Sequence, residues 1–227
     1  MTITTSTLTR ACGLSAVVAG LLFIGVQIGH PNLNADFVTT TEWTIRQGVK
    51  VLMAVLSLVG ITGMYLRQVR QTGLLGLLGY VLFGIGYLIM MSVEVIGLVI
   101  LPAIASSEPG YVNDVLAVAT GGHAVGDIGL MLPLNLAAAF TYLGGGLLFG
   151  IALFRANVLA RWAAALLAVG ALATAAIPVL PQLNQRLFAI PTAVALIGLG
   201  YSLWREQRTR ATGAGSVGAS LDPAGAR

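Results

Sequence analysis

Charged side chains are scarce in this chain. Asp, Glu, Lys and Arg together make up 9% of it, and hydrophobic residues make up 57%. A soluble domain usually carries about 25% charged residues. So few charges cannot cover the surface of a water-soluble domain, and this scarcity leaves room only for short loops and a tail outside the apolar segments. We therefore expect an integral membrane protein.

The chain also has little cysteine, and it lacks the sequence features of a nucleic-acid-binding protein. The single cysteine, Cys12, excludes an intrachain disulfide and a cysteine-based zinc site. The net charge is +4, but the positive residues lie at the ends of apolar runs, where membrane topology accounts for them. The chain contains no phosphate-binding loop and no H-E-x-x-H pattern. We expect no nucleic-acid partner, no metal and no cofactor.

What the chain does contain is a series of long apolar runs, and each meets or nearly meets the length of about 20 residues that a transmembrane helix needs. They predict an all-α fold, a six-helix transmembrane bundle over residues 1–204. Residues 205–227, which have no apolar face, are expected to form a disordered cytoplasmic tail. The runs cover residues 11–29, 47–66, 73–101, 128–154, 159–180 and 187–204.

Positive charges are unevenly distributed among the loops. Lys and Arg residues near the N-terminus, in loops 67–72 and 155–161, and in the tail all fall on one side of a six-span arrangement. Because cytoplasmic loops carry the excess of Lys and Arg, this pattern predicts that both termini are inside. We expect a multi-pass protein of the plasma membrane.

Prolines mark two irregular segments on the predicted outer side. The loop over 103–122 is expected to hold one short helix, from Val112 to Ala119. Residues 123–154 would form a helix of ~48 Å against a bilayer core of ~30 Å. Pro133 should therefore kink or break it, which makes 123–132 an outer extension or a cap over the bundle. Pro191 is expected to bend the last helix.

An isolated carboxyl in the third run is the strongest indication of a site. Glu94 has no other charged residue within ten positions on either side. An ionisable residue in such a segment is costly, and it usually faces an interior partner or a cavity. By depth along their helices, Lys50 is its natural partner. The two residues form either a purely structural ion pair or part of a functional site with an outer-side polar pocket.

An aromatic stripe lies on the same face of the third run as Glu94. At about 100° per residue, Tyr80, Phe83 and Tyr87 fall within roughly 40° of the carboxyl. They form either an aromatic packing face or the wall of a deep apolar pocket with an acid at its mouth. In the pocket interpretation, the residues that bind the substrate are Trp43, Lys50, Tyr80, Phe83, Tyr87 and Asn135.

Several polar residues cluster towards the predicted outer ends of the runs. His123 and Asp127, one helical turn apart, are candidates for a proton relay or a second acid, or they belong to an ordinary aqueous loop. Together with His30 and Glu94 they include the residue types that bind metals, but they are scattered along the chain. A metal site, or a haem between His30 and His123, is therefore a minor alternative. Other residues of this group are interpreted as helix ends or headgroup contacts: Gln27, Arg46, Gln185 and Arg186.

Three sequence pieces resemble those of small actinobacterial membrane proteins. They are Gly29-His30-Pro31, Trp43 with Lys50, and the stretch 146–155 followed by Arg161-Trp162. This resemblance spans most of the chain and implies a membrane location rather than an activity. In size and helical content the chain also resembles, more loosely, the small integral-membrane terpene cyclases. That resemblance implies protonation of a polyprenyl chain by an intramembrane carboxylic acid, for which Glu94 and then Asp127 are the candidates.

Together these features favour an intramembrane enzyme, an isomerase or cyclase, that acts on a lipophilic, isoprenoid-like substrate by acid catalysis. Glu94 would be the catalytic acid, with His123 and Asp127 as relay or second acid. The alternatives are a small transporter or lipid-binding membrane protein, and a packing subunit of a membrane complex. The expected partners are a lipophilic small molecule and membrane lipid.

The predicted topology can be tested by cysteine accessibility. In a Cys12→Ala background, single cysteines are introduced at Ser107 and at Thr209, and intact cells are treated with a membrane-impermeant maleimide. We expect labelling at position 107 and none at position 209, because the two lie on opposite sides of a six-span arrangement. Equal labelling from outside would rule out that arrangement.

Overall fold

A computed structural model describes residues 4–29, 31–176 and 188–219, with side chains through residue 206. Predictions that concern His30, Gln185 and Arg186 lie outside the described residues. Of the predicted tail, 205–227, residues 205–219 are helical in the structure. Residues 220–227 lie outside the described residues, and their disorder stays a prediction.

The described part of the chain is helical and contains no strand, which confirms the all-α fold. Two 3-10 turns, Phe37–Thr39 and Thr174–Ala176, accompany seven α-helices. The short helix predicted between the third and fourth runs is present as α4. The α-helices are α1 Thr5–Gln27, α2 Thr41–Arg67, α3 Val69–Ile104, α4 Pro109–Ala119, α5 Met131–Ala156, α6 Arg161–Ala173 and α7 Ile190–Ala219.

Four of these helices, α1, α2, α3 and α5, are long and apolar enough to cross a membrane. The protein is therefore a membrane protein. Helix α6 is apolar but has only 13 described residues, about 20 Å against a bilayer core of ~30 Å. The six-span count and the orientation stay predictions. We call the end of the bundle that carries α4 the α4 end, and the opposite end the Arg67 end.

Six of the helices form a closed ring. Each of α1, α2, α3, α5, α6 and α7 packs against its neighbours in that order, and α7 returns to α1. At the Arg67 end, the guanidinium of Arg67 binds the carboxylate of Glu206 and joins α2 to α7. At the α4 end, Arg46 donates to the carbonyls of Ile28 and Gly29 and so caps α1 with a side chain of α2.

The seam between α3 and α5 depends on glycine. A Cβ atom on Gly86 would lie 2.8 Å from the backbone nitrogen of Tyr142, and one on Gly145 would overlap the backbone of Phe83. Without Cβ atoms at these positions, the two backbones approach closely and gain van der Waals contact, which is the main force between helices in lipid. The interior of the bundle is therefore organised around this seam.

The structure excludes one of the two alternatives for the segment before α5, the helical extension, and the cap over the bundle stays a prediction. Residues 123–130 form no helix, so they do not extend α5 outward. Helix α5 begins at Met131, and Pro133 lies in its first turn, where the missing N–H would have had no partner. Pro191 is the second residue of α7, and residues 188 and 189 before it are in 3-10 form. The bend predicted at Pro191 stays a prediction.

We expect Gly145→Ala to destabilise the protein by about 1–3 kcal/mol, because the new methyl group overlaps the backbone of α3. Gly144→Ala is the matched control. A Cβ atom there meets nothing within 4 Å, and alanine favours a helix over glycine by up to about 1 kcal/mol. Thermal unfolding in detergent measures both variants. Equal melting temperatures would contradict the proposed role of the seam.

Candidate functional site

Trp43 fixes α2 against α3 near the α4 end. Its indole Nε1 donates a hydrogen bond of 2.8 Å to the backbone carbonyl of Gly97, and the side chain is buried. Gly97 permits this approach, because a Cβ atom there would overlap the amide nitrogen of Gln47. The close contact between the two helices brings the polar groups of α2 within reach of α3.

Glu94 on α3 accepts two hydrogen bonds from α2. Gln47 Nε2 donates to Glu94 Oε2 at 2.7 Å, and Lys50 Nζ lies 3.3 Å from the same oxygen. The predicted pairing of Lys50 with Glu94 is therefore confirmed. Lys50 Nζ also lies 5.9 Å from the ring centroid of Trp43, within the range of a cation–π contact.

Sequence reasoning missed Gln47. Trp43, Gln47 and Lys50 follow one another at spacings of four and three residues, so they share one face of α2. That spacing was the available signal. The amide orients the carboxylate, but its own oxygen, Gln47 Oε1, is enclosed and has no hydrogen-bond partner. A buried polar atom without a partner costs about 1–3 kcal/mol, so the contact with Glu94 is kept at some expense in stability.

A cavity of about 650 Å³ lies at the α4 end, beside this polar cluster. Its volume falls within the range of roughly 300–1,000 Å³ typical of small-molecule sites. The side chains of Lys50 and Glu94 keep 21% and 23% of their surface exposed, so both remain accessible from it. Its apolar walls include Phe23, Val26, Met53, Met90, Leu136 and Leu143, and its polar lining includes Gln47, Lys50, Glu94, His123, Asn135 and Tyr142.

The aromatic stripe of α3 packs inside the bundle. Phe83 and Tyr87 are fully buried against Tyr142 of α5, with ring centroids 5.2 and 5.7 Å from it. Tyr80 stacks on Tyr65 at 4.6 Å. These three residues of the stripe lie outside the described cavity lining, and Tyr142 is the aromatic residue of this cluster that reaches it. The stripe is thus a packing face, the first of its two interpretations.

The two candidate relay residues are placed differently. His123 is exposed and lines the cavity, whereas Asp127 is exposed outside the lining and accepts a hydrogen bond of 2.8 Å from the backbone N–H of Gly129. They lie in the non-helical segment 123–130, so the predicted one-turn spacing on a helix is wrong. Asn135 lines the cavity as expected, and its amide donates to the carbonyl of Met131.

Segment 123–130 is fastened to α4 by a carboxylate. Asp114 accepts hydrogen bonds from the backbone N–H groups of Val125 at 3.0 Å and Gly126 at 2.7 Å. These bonds favour the charged form and lower the pKa of Asp114. A carboxyl group whose pKa is lower in the folded state stabilises the fold at pH values above its pKa in the unfolded chain. The stabilising contribution of Asp114 is therefore lost as the pH falls through its pKa in the folded state.

A second, more open groove of about 560 Å³ lies between α1 and α2. Among its described lining residues, Arg46 is the one cation, and it already binds Glu42 at 2.8 Å and the end of α1. Among the described residues, no three His, Cys, Asp or Glu side chains form a group that could hold a metal ion.

No protein-family model, no curated protein and no solved structure matches this chain. The chemistry of the cavity and of its ion pair is therefore what bears on function.

The ion pair predicts a coupling between Lys50 and Glu94. Lys50→Met leaves the carboxylate without its cation in an apolar setting, so it should destabilise the protein more than Lys50→Met/Glu94→Gln does. We expect a coupling energy of about 1–3 kcal/mol from the double-mutant cycle, measured by thermal unfolding in detergent. Strict additivity of the two single losses would show that the residues are not coupled.

Proposed function

We propose that the protein binds a lipophilic, isoprenoid-like molecule within the membrane, in the cavity at the α4 end. The observation that carries the proposal is the cavity itself, which combines apolar walls with one accessible ion pair. Sites for small molecules commonly pair a mostly apolar lining with a few placed polar groups that fix orientation. The apolar walls would hold the tail of the ligand, and Lys50 and Glu94 would hold its head.

The proposal includes location and topology. A six-span, multi-pass protein of the plasma membrane with both termini inside would place the cavity in the outer half of the bilayer. The distribution of Lys and Arg among the loops supports this orientation. A ligand could then enter from the outer leaflet without crossing the midplane.

The ion pair supports binding more than acid catalysis. Both donors, Gln47 and Lys50, reach the same oxygen of Glu94, which is an arrangement that suits an ionised carboxylate. Protonation of an alkene needs a carboxyl group that holds a proton, and an ammonium group is too weak an acid to replace it. This arrangement supports a role of the cluster in holding a ligand.

Acid catalysis on an isoprenoid-like substrate is the second candidate. One observation favours it: Glu94 and His123 both line the same cavity, so a candidate acid and a candidate relay would face the same substrate. The enzyme would need Lys50 to release Glu94 when the substrate enters. A resemblance to membrane terpene cyclases would fit this candidate. A packing subunit would need no such cavity, and a transporter would need polar groups along a path across the membrane.

Binding can be tested by native mass spectrometry of the protein purified in mild detergent. We expect a lipophile to co-purify with the wild type and to be lost from Ala139→Trp, because Ala139 lines the cavity and a tryptophan there would occupy it. Phe140→Trp is the control, since Phe140 is 74% exposed on the same helix and lies outside the described lining.

Retention of the lipophile by Ala139→Trp would place binding elsewhere and overturn the proposal. The same lipophile separates the two candidates when it is incubated with the wild type and with Glu94→Gln. Conversion by the wild type alone, with binding kept in Glu94→Gln, would establish acid catalysis by Glu94. Binding without conversion would support the binding function.

A further inference from the structure

Among the described residues, the charges of Lys50 and Glu94 at the cavity cancel each other. Lys50 and Glu94, separated by 3.3 Å, contribute one positive and one negative charge. Further charged groups nearby are engaged elsewhere. Arg46 lines the separate groove and binds Glu42 and the end of α1, and Asp114 binds segment 123–130. Asp127 lies outside the described cavity lining.

A charged head group would be opposed in this setting. A phosphate near Lys50 would also lie near the carboxylate of Glu94, and an ammonium near Glu94 would also lie near Lys50. Like charges placed next to each other at an interface repel and disfavour the wrong partner. Neither charge of the pair can therefore be used for a ligand without a penalty from the other.

An uncharged hydroxyl group, by contrast, matches both partners. The ammonium of Lys50 has N–H groups beyond the one directed at Glu94, and these need an acceptor. Within the described residues, Glu94 Oε1 accepts no hydrogen bond, so it can take a proton donor. A hydroxyl oxygen accepts from one and its hydrogen donates to the other.

We propose that the ligand of this cavity is an uncharged lipid alcohol, held by its hydroxyl group between Lys50 and Glu94. This inference rests on the proposed binding function and specifies its ligand class. The internal charge balance of the pair is what selects the head group, and the apolar walls accept the chain.

The test compares head groups on one tail. Geranylgeraniol, geranylgeranyl phosphate, geranylgeranylamine and the methyl ether of geranylgeraniol are each titrated into the detergent-purified protein. Binding is followed by native mass spectrometry at pH 8, where imidazole groups are ordinarily neutral. We expect the alcohol to bind about tenfold or more tightly than either charged lipid. The methyl ether, which lacks the donor proton, should bind more weakly than the alcohol.

Charge-changing variants sharpen the test. The Glu94→Gln variant leaves the positive charge of Lys50 uncompensated, so the binding preference of this variant should shift towards the phosphate. The Lys50→Met variant leaves the negative charge of Glu94 uncompensated, so the binding preference of this variant should shift towards the amine. The double variant Lys50→Met/Glu94→Gln restores a net charge of zero at the pair, so its binding preference should shift towards neither charged lipid. If Glu94→Gln does not fold, Lys50→Met, the double variant and the wild type still decide the outcome.

The outcomes separate the two proposals. If none of the four lipids binds the wild type, the proposed binding of an isoprenoid-like molecule fails. If the wild type binds the phosphate or the amine as tightly as the alcohol, binding stands and the uncharged-head inference fails. Equal affinity for the alcohol and its methyl ether would exclude the hydroxyl contact with Glu94.

Discussion

The carboxylate of Glu94 imposes the main constraint on this bundle. A charge among apolar helices is costly unless it is paired and hydrogen-bonded, and α2 supplies both a cation and an amide to one of its oxygens. That requirement sets how closely α2 and α3 approach, since Lys50 and Gln47 must reach across. Trp43 and Gly97 maintain the same distance through an indole–carbonyl bond. One charge thereby determines the geometry of a whole helix pair.

The two ends of the bundle differ in how their helices pack. At the Arg67 end, Arg67 and Glu206 join α2 to α7, and further along the bundle glycines let α3 and α5 pack backbone to backbone. At the α4 end, α4 and segment 123–130 lie beside an open cavity. Close backbone packing in the α3–α5 seam and the Arg67–Glu206 ion pair thus join the helices in these parts of the bundle. The polar cluster lies where the packing leaves space for a ligand.

The sequence predicts how far along its helix a residue lies. It does not predict which residues of other helices contact it. Counting residues placed Lys50 level with Glu94, and the ion pair confirms it. Helical periodicity places Tyr87 on the same face of α3 as Glu94. Periodicity alone does not show which other helix packs against that face. Tyr142, which is distant in sequence, covers Tyr87 and reaches the cavity. Pro133 suits a first helical turn as well as a kink, so local rules left the form of 123–130 undecided.

The contact between Gly97 and Gln47 has a consequence for sequence variation. The amide of Gln47 occupies the space where a side chain at position 97 would begin. A larger residue at position 97 would push the end of the flexible Gln47 side chain aside and release its hydrogen bond to Glu94. In chains that share this helix pair, positions 47 and 97 should co-vary, and a change at Gly97 alone should disappear under selection.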